Sequence, residues 1–484
     1  MAELSGRLDL RSAQVKQARI LILGAGLGGL CTAMLVAREG HEVTVLERDP
    51  APPPPEHASA AWEGWQRRGV NQFRLPHFML PRWWSLLRAE LPEVRYPLEA
   101  AGALYLNLMA ALPAARRGPM RDGDERFETV TARRPVLEAA LSVAAEAAGV
   151  TIRRGVAVTG LTTDWHARVP RVTGVLTENG SAITADLVVD CGGRRSALGS
   201  WLQAAGGRRP VEERADCGFV YYARHFRSRT GKQPIALHNL LQNYDSLSAI
   251  TLPADNGTWS VVLTTSSRDK ALRVLREPAR WHAALGRYPL VAHWADGEPI
   301  SGVDVMAGIE DRYRRLVIDG QPVATGVVSV GDAWACTNPS VGRGAALALI
   351  HARLLRDLLR ETDPADHDKF ARRFDELTAQ AAEPLYRATL WYDRHRLAEI
   401  DADILGTPYR TDDQRWLINK AFFAASLTDP DLTRAYSAVL SFIATPDEVL
   451  TPPGVLDRVI ALGMAAPQYP LPGPTRGELL DAIA

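Results

Sequence analysis

Lysine is almost missing from this chain: of its 56 basic residues 51 are arginine and 5 are lysine, and none of the five lies between Lys16 and Lys232. No charge of either sign is in excess, because Asp and Glu also total 56. A neutral balance gives no bulk electrostatic attraction to nucleic acid or to an anionic membrane, so neither is expected as a partner. Cysteine is scarce as well. Cys31, Cys191, Cys217 and Cys336 stand far apart, with no CxxC and no Cys/His spacing of the kind zinc requires, which excludes a disulfide framework and leaves no metal site to expect. Long apolar runs are absent with one exception, the eighteen uncharged residues Ile20 to Ala37. Four glycines at 24, 26, 28 and 29 break that run into a strand, a turn and a short helix, so a membrane span is not expected. The polar leader Met1 to Arg19 has no apolar core of a signal peptide, which points to a cytoplasmic location. A small-molecule ligand is the partner class that remains.

What is present is glycine at the ends of strands. Ile20-Leu21-Ile22-Leu23 runs into Gly24-Ala25-Gly26-Leu27-Gly28-Gly29, Asp186 to Asp190 into Cys191-Gly192-Gly193, and Val327 to Val330 into Gly331-Asp332, followed by Pro339, Gly342, Arg343 and Gly344. In the first segment Gly24, Gly26 and Gly29 have the G-x-G-x-x-G spacing. The first glycine permits the turn, the second lets a pyrophosphate approach the backbone, and the third lets helix and strand pack closely. Glu47 ends the next strand, where a carboxylate binds ribose hydroxyls, and Arg48 beside it is a further candidate contact. Asp332 follows a strand and a glycine and is a candidate for a ribityl hydroxyl. The stretch Pro339 to Gly344 leads into a long apolar helix whose N-terminus stabilises negative charge on a reduced flavin ring. The three turns together describe one large dinucleotide, read as FAD.

The fold class expected is α/β: a Rossmann-like FAD-binding domain with an inserted mixed β-sheet substrate domain and a helical C-terminal region. Residues 18–210 form the first part of the FAD-binding domain, with an insertion at about 60–125; 211–319 form the sheet domain; 320–360 return to the FAD-binding domain; and 361–484 are helical. Expected elements include a helix from Leu27 to Glu39, strands at Glu42–Leu46 and Val156–Val158, a helix near Arg134 to Ala148, and an Asn256-Gly257 hairpin turn.

On these motifs the chain resembles the flavoprotein monooxygenases of the para-hydroxybenzoate hydroxylase fold, over roughly residues 18 to 360. Arg134-Pro135-Val136-Leu137 with Leu141 is similar to the family's R-x-x-L-x-x-x-L, which implies Arg134 on the FAD, and Val158 falls where the family's backbone meets adenine. Arg67-Arg68-Gly69-Val70-Asn71-Gln72-Phe73-Arg74-Leu75-Pro76-His77 is similar to the R-K-G-V-P-Q-x-R-x-x-H of bacterial polyether-type epoxidases, which implies Arg68 as a cofactor contact. The resemblance implies a monooxygenase inserting one oxygen atom from O2 into a hydrophobic natural-product intermediate by epoxidation or hydroxylation through a flavin C4a-hydroperoxide. Electrons would come from NAD(P)H, directly or through a flavin reductase. A flavin-dependent reductase or dehydrogenase of isoprenoid-like double bonds shares the same motifs.

Departures from the family pattern sharpen the expectation. Gly192-Gly193 replaces the usual Asp-Gly, while Ser196 keeps its place, which questions direct reduction by bound NADPH. Ala335 and Ala346 replace a usual histidine and asparagine, so the ring site is drier and suits an apolar substrate. Halogenases share the fold but use a lysine near the site and a W-x-W-x-I-P motif; Trp62-Glu63-Gly64-Trp65 does not match it. Trp83-Trp84, Trp334 and Trp391-Tyr392 are candidates for cavity walls or for core, Asp190 and Cys191 for site residues or buried strand ends. No catalytic acid or base is assigned.

Overall fold

The computed structural model describes residues 17–54, 58–166, 169–339 and 342–484. Most of the leader, Pro55 to His57, Ala167 and Arg168, and Ser340-Val341 of the third glycine segment lie outside the described residues.

Five short strands form a parallel sheet: β1 (Arg19–Leu23), β2 (Glu42–Glu47), β3 (Thr151–Arg154), β4 (Leu187–Asp190) and β5 (Val327–Ser329), in the order β5-β4-β1-β2-β3. Their side chains alternate between two faces, and each face has its own cover. Ile20, Ile22, Val43 and Val45 pack with α1 (Leu27–Ala37), α2 (Arg134–Ala147) and α3 (Gly344–Glu361), whereas Leu21, Leu23, Leu46 and Val188 pack towards a three-stranded antiparallel sheet. Helix α1 is buried along nearly its whole length, which explains its uncharged sequence. No described helix is long and apolar enough to cross a membrane.

The three-stranded cover, Val158–His166, Val169–Thr177 and Ala182–Thr184, corrects the sequence expectation of a strand over Val156–Val158. The chain begins that strand only at Val158 and continues it through Thr162, Thr163 and Asp164, polar residues that hide a hairpin from a reading based on apolar runs.

The second large sheet is antiparallel, ordered Leu241–Asn243, Ser248–Pro253, Thr258–Ser266, Phe219–Arg227 and Glu298–Pro299, with Asp304–Met306 also on Phe219–Arg227. Its hairpin turns at Asn256 and Gly257, with φ of 50° and 67°, the left-handed pair that a two-residue hairpin loop demands. A separate ladder of Val211–Asp216, Glu310–Arg315 and Ala335–Cys336 joins this domain to the third glycine turn. The excursion that follows β2 supplies helices Pro81–Glu90 and Ala114–Arg117 and a hairpin of Leu104–Asn107 with Glu128–Thr131. Beyond α3 the described chain is helical, its longest helix spanning Glu383–Ile404.

Candidate functional site

The first turn is fixed by close backbone packing. Gly24 has φ +102° and donates its N–H to the Leu46 carbonyl at 2.8 Å; a Cβ there would stand 2.8 Å from the Cys191 carbonyl oxygen. A Cβ on Gly29 would collide with the Gly24 carbonyl oxygen, so strand and helix approach as closely as they do only with glycine at both positions. Gly26 caps α1 without any side-chain hydrogen bond, leaving N–H groups of the first helical turn free for an anion.

On the Glu47 side, the chain satisfies its own charges. Glu47 is buried and accepts from the Ala25 N–H at 2.8 Å and the Asp49 N–H at 2.9 Å. Arg67 pairs with both Glu47 and Glu138 and donates to the Ala25 carbonyl at 3.0 Å. Burial opposes the charge on Arg67, but Glu138 and then Glu47 outweigh it and hold its pKa above the ordinary arginine value. Glu138, fully buried, is likewise pulled below the usual carboxylate range: burial alone would raise it, and Arg67 and Arg134 reverse the sign. Arg68, the expected contact, is exposed; its neighbour Arg67 is the buried one. Arg48 is exposed and donates to the Gly69 carbonyl at 2.9 Å, and Val158 is partly buried at the start of its strand.

The three turns meet around a single cavity of about 340 Å³. Gly26, Gly28 and Gly29 of the first line it, with Cys191, Gly193 and Arg194 of the second and Gly331, Asp332, Pro339, Gly342 and Gly344 of the third. Glu47, Arg48, Arg68, Val158 and Arg343 do not line it. Arg134 does: its Nε donates to Glu138 Oε1 at 2.7 Å, and its Nη1 lies 3.1 Å from His77 Nε2. Burial, then Arg134, push His77 down to about 3, so the neutral ring accepts from Arg134 while its Nδ1–H donates to the Leu75 carbonyl at 2.8 Å. His77 is therefore a half-buried, satisfied residue on the cavity wall that steers Arg134.

Asp190 is a strand end turned inward, accepting from Ser196 Oγ at 2.5 Å and the Gly192 N–H at 2.9 Å. This holds the second turn and presents Arg194, whose Nε is buried without a partner among the described residues. Sequence reasoning missed Arg194; a basic residue directly after the Gly-Gly turn was the available signal. Asp332 faces the start of α3, with its Oδ1 3.8 Å from where a Cβ on Gly344 would stand, and burial raises its pKa against the pull of Arg194 and Arg134. Helix α3 has no side-chain cap. His351 on α3 accepts from the Gly331 N–H at 3.4 Å and fixes the third turn from behind. Arg343 turns away, donating to Thr389 Oγ1 at 3.0 Å and lying over the Phe442 ring; nearby, burial and Asp311 push Asp393 up to about 8.

Most of the remaining wall is apolar, interrupted by polar side chains that include Gln72, His77, His238 and Asn239. Leu75, Phe78, Leu80, Leu240, Ile250 and Val262 contribute to its apolar part. None of the tryptophans considered as cavity walls lines it: Trp83, Trp84 and Trp334 are buried core, and Trp391 and Tyr392 pack with Trp416.

A family model described as "FAD binding domain" matches residues 122–363, and one described as "FAD dependent oxidoreductase" matches residues 19–140. The chain is 29% identical over 394 residues to Protein Rv3254 of Mycobacterium tuberculosis, covering 76% of this chain and 78% of that one. It is 28% identical over 181 residues to the FAD-dependent monooxygenase fsr3 of Gibberella fujikuroi, covering 37% of this chain and 32% of that one. Among solved structures, pqsL, a probable FAD-dependent monooxygenase from Pseudomonas aeruginosa, superposes with a TM-score of 0.56 at 18% identity, covering 80% of this chain and all of the other, which shows the shared fold.

Proposed function

The chain belongs to the FAD binding domain family whose model matches half of it, and from that premise we propose that this flavin-dependent oxidoreductase is a monooxygenase that transfers one oxygen atom from O2 to a hydrophobic natural-product intermediate, by epoxidation or hydroxylation. The observation that carries the reading is the single cavity into which all three glycine turns open and whose remaining wall is mostly apolar. The name of the aligned relative fsr3 supports it. The absence of lysine from the residues lining the cavity speaks against halogenation.

The residues fit a bound FAD. The uncapped start of α1, with Arg134 and Arg194, would hold the pyrophosphate; Asp332 would accept from a ribityl hydroxyl; and the uncapped start of α3 at Gly344 would face the ring's electron-rich edge. Glu47 would meet ribose only from a carboxylate already shared with Ala25, Asp49 and Arg67. Bound FAD supplies the activation of O2. The protein's part is to exclude water with the leucine-rich wall, hold the substrate at the ring, and stabilise charge there by oriented N–H groups rather than by a mobile side chain. An acid or base is not required for oxygen transfer to a double bond, and the polyether-type epoxidases are the resemblance this chemistry fits.

The test uses purified holoenzyme with isotopically labelled O2 and a panel of apolar isoprenoid and polyketide alkenes. One labelled oxygen atom per product is expected. Saturation of the double bond without O2 would establish the reductase instead. Rapid mixing with NADPH settles the electron source: fast bleaching of the flavin means direct reduction, and slow bleaching relieved by a flavin reductase fits the glycine at position 192.

A further inference from the structure

One side chain on the cavity wall, His238, and one outside its lining, Arg116, carry buried polar atoms without partners among the described residues. His238, just before the strand Leu241–Asn243, lines the cavity, is 5% exposed, and has no hydrogen-bond partner on either ring nitrogen among the described residues. Its ring stands edge-on to Phe423, with centroids 6.4 Å apart. Arg116, from the helix Ala114–Arg117 of the excursion, reaches the same helix end as the ring, since it bonds Ser426, just beyond Phe423 in sequence. Its Nη2 donates to the Ser426 carbonyl at 3.4 Å, but its Nε and Nη1 are buried without partners and no described carboxylate forms an ion pair with it. Burial, then Arg116, push His238 down to about 3, so the ring is neutral and offers one N–H donor, while burial brings Arg116 only to about 10 and leaves it charged.

An unsatisfied buried polar group costs about 1–3 kcal/mol and a buried charge without a counter-ion more, so a fold does not set an unpartnered His238 on a cavity wall and an unpaired Arg116 outside that wall for stability. A neutral acceptor would answer the His238 N–H but leave the guanidinium uncompensated. An anionic oxygen answers both.

We propose that His238 and Arg116 form the recognition site for a carboxylate borne at one end of an otherwise apolar substrate. The proposal rests on the reading of the cavity as the substrate chamber and adds the class of molecule that enters it. His238 donates to the carboxylate oxygen, and Arg116 behind it supplies the compensating charge.

Calorimetric titration of the holoenzyme with octanoate, decanoate and naphthoate, each beside its matching primary alcohol, tests this. At least one acid is expected to bind roughly tenfold more tightly than its alcohol, a preference that falls to about twofold or less in His238→Phe and in Arg116→Met and is partly kept in Arg116→Lys. Ligand-free His238→Phe should unfold at the same temperature as the parent or higher, because no protein hydrogen bond is lost. Equal binding of acids and alcohols, no binding of any acid, or an acid preference that survives both substitutions overturns the proposal. So does a lowered melting temperature in His238→Phe with the preference intact, which would make the residue structural. The titration needs neither O2 nor reduced flavin, so failure of oxygen transfer leaves its result standing.

Discussion

The two ends of the proposed dinucleotide site treat charge in opposite ways. At the Glu47 end, Glu47, Glu138 and Arg67 are all buried and paired with one another. At the Asp332 end, Asp332 and Arg194 face the cavity, with Arg194 Nε unpartnered and burial raising the Asp332 pKa. The first end is built to hold the fold together, and the second keeps hydrogen-bonding capacity in reserve for a ligand.

The contrast can be broken most severely at Arg67. Arg67→Ala removes the ion-pair partner of buried Glu47 and one of the two arginines on buried Glu138, and is expected to cost about 3–5 kcal/mol in unfolding free energy by chemical denaturation, with or without flavin. An effect confined to flavin affinity would mean that this network serves the ligand after all. Gly29→Ala drives a methyl group into the Gly24 carbonyl; about 1–3 kcal/mol of stability is expected to be lost along with much of the bound flavin, read from the flavin-to-protein ratio. Asp332→Asn should act the other way round, leaving the apo-protein at least as stable while weakening flavin binding by about 1.5–3 kcal/mol, measured by titrating FAD into apo-protein.

The same contrast predicts opposite pH behaviour. Glu138 has a depressed pKa in the folded state, so its contribution is complete above about 4.3, the value of an unfolded glutamate, and is lost as the pH falls below it. Asp332 has a raised folded pKa, so its ionisation destabilises the apo-protein at neutral pH and the penalty disappears on acidification. The stability gain of apo Asp332→Asn is therefore expected to be largest near pH 7 and to vanish towards about pH 3.9. A gain independent of pH would show that the carboxylate is not the cause.

The polar end of this contrast was the more legible in the sequence. A strand, three glycines at fixed spacing, a helix and a terminal glutamate form a local pattern within about thirty residues, and α1, α2 and the Asn256-Gly257 turn emerge from equally local signals. What decided between Arg67 and Arg68 was not local. The two are adjacent and chemically alike, and only the direction in which the loop enters the core buries one and exposes the other. The order of the parallel strands depends on pairings between residues more than a hundred positions apart, as when Ile20 meets Leu187. His238 carried no motif at all, because its significance is the absence of partners, which becomes visible only when its neighbours are in place.

The hairpin turn has a neighbour that ties the two large sheets together. Asp255, next to Asn256, takes a bidentate grip on Arg133, with Nη2 to Oδ2 at 2.6 Å and the Arg133 N–H to Oδ1 at 2.7 Å, while Asn256 Nδ2 donates to the Ala101 carbonyl at 3.0 Å. Arg133 immediately precedes Arg134, so this clamp bolts the antiparallel sheet to the very helix that presents an arginine to the cavity. A hinge between the two sheets would have to tear open a dry ion pair. The clamp thus opposes relative displacement of the two sheets on either side of the cavity.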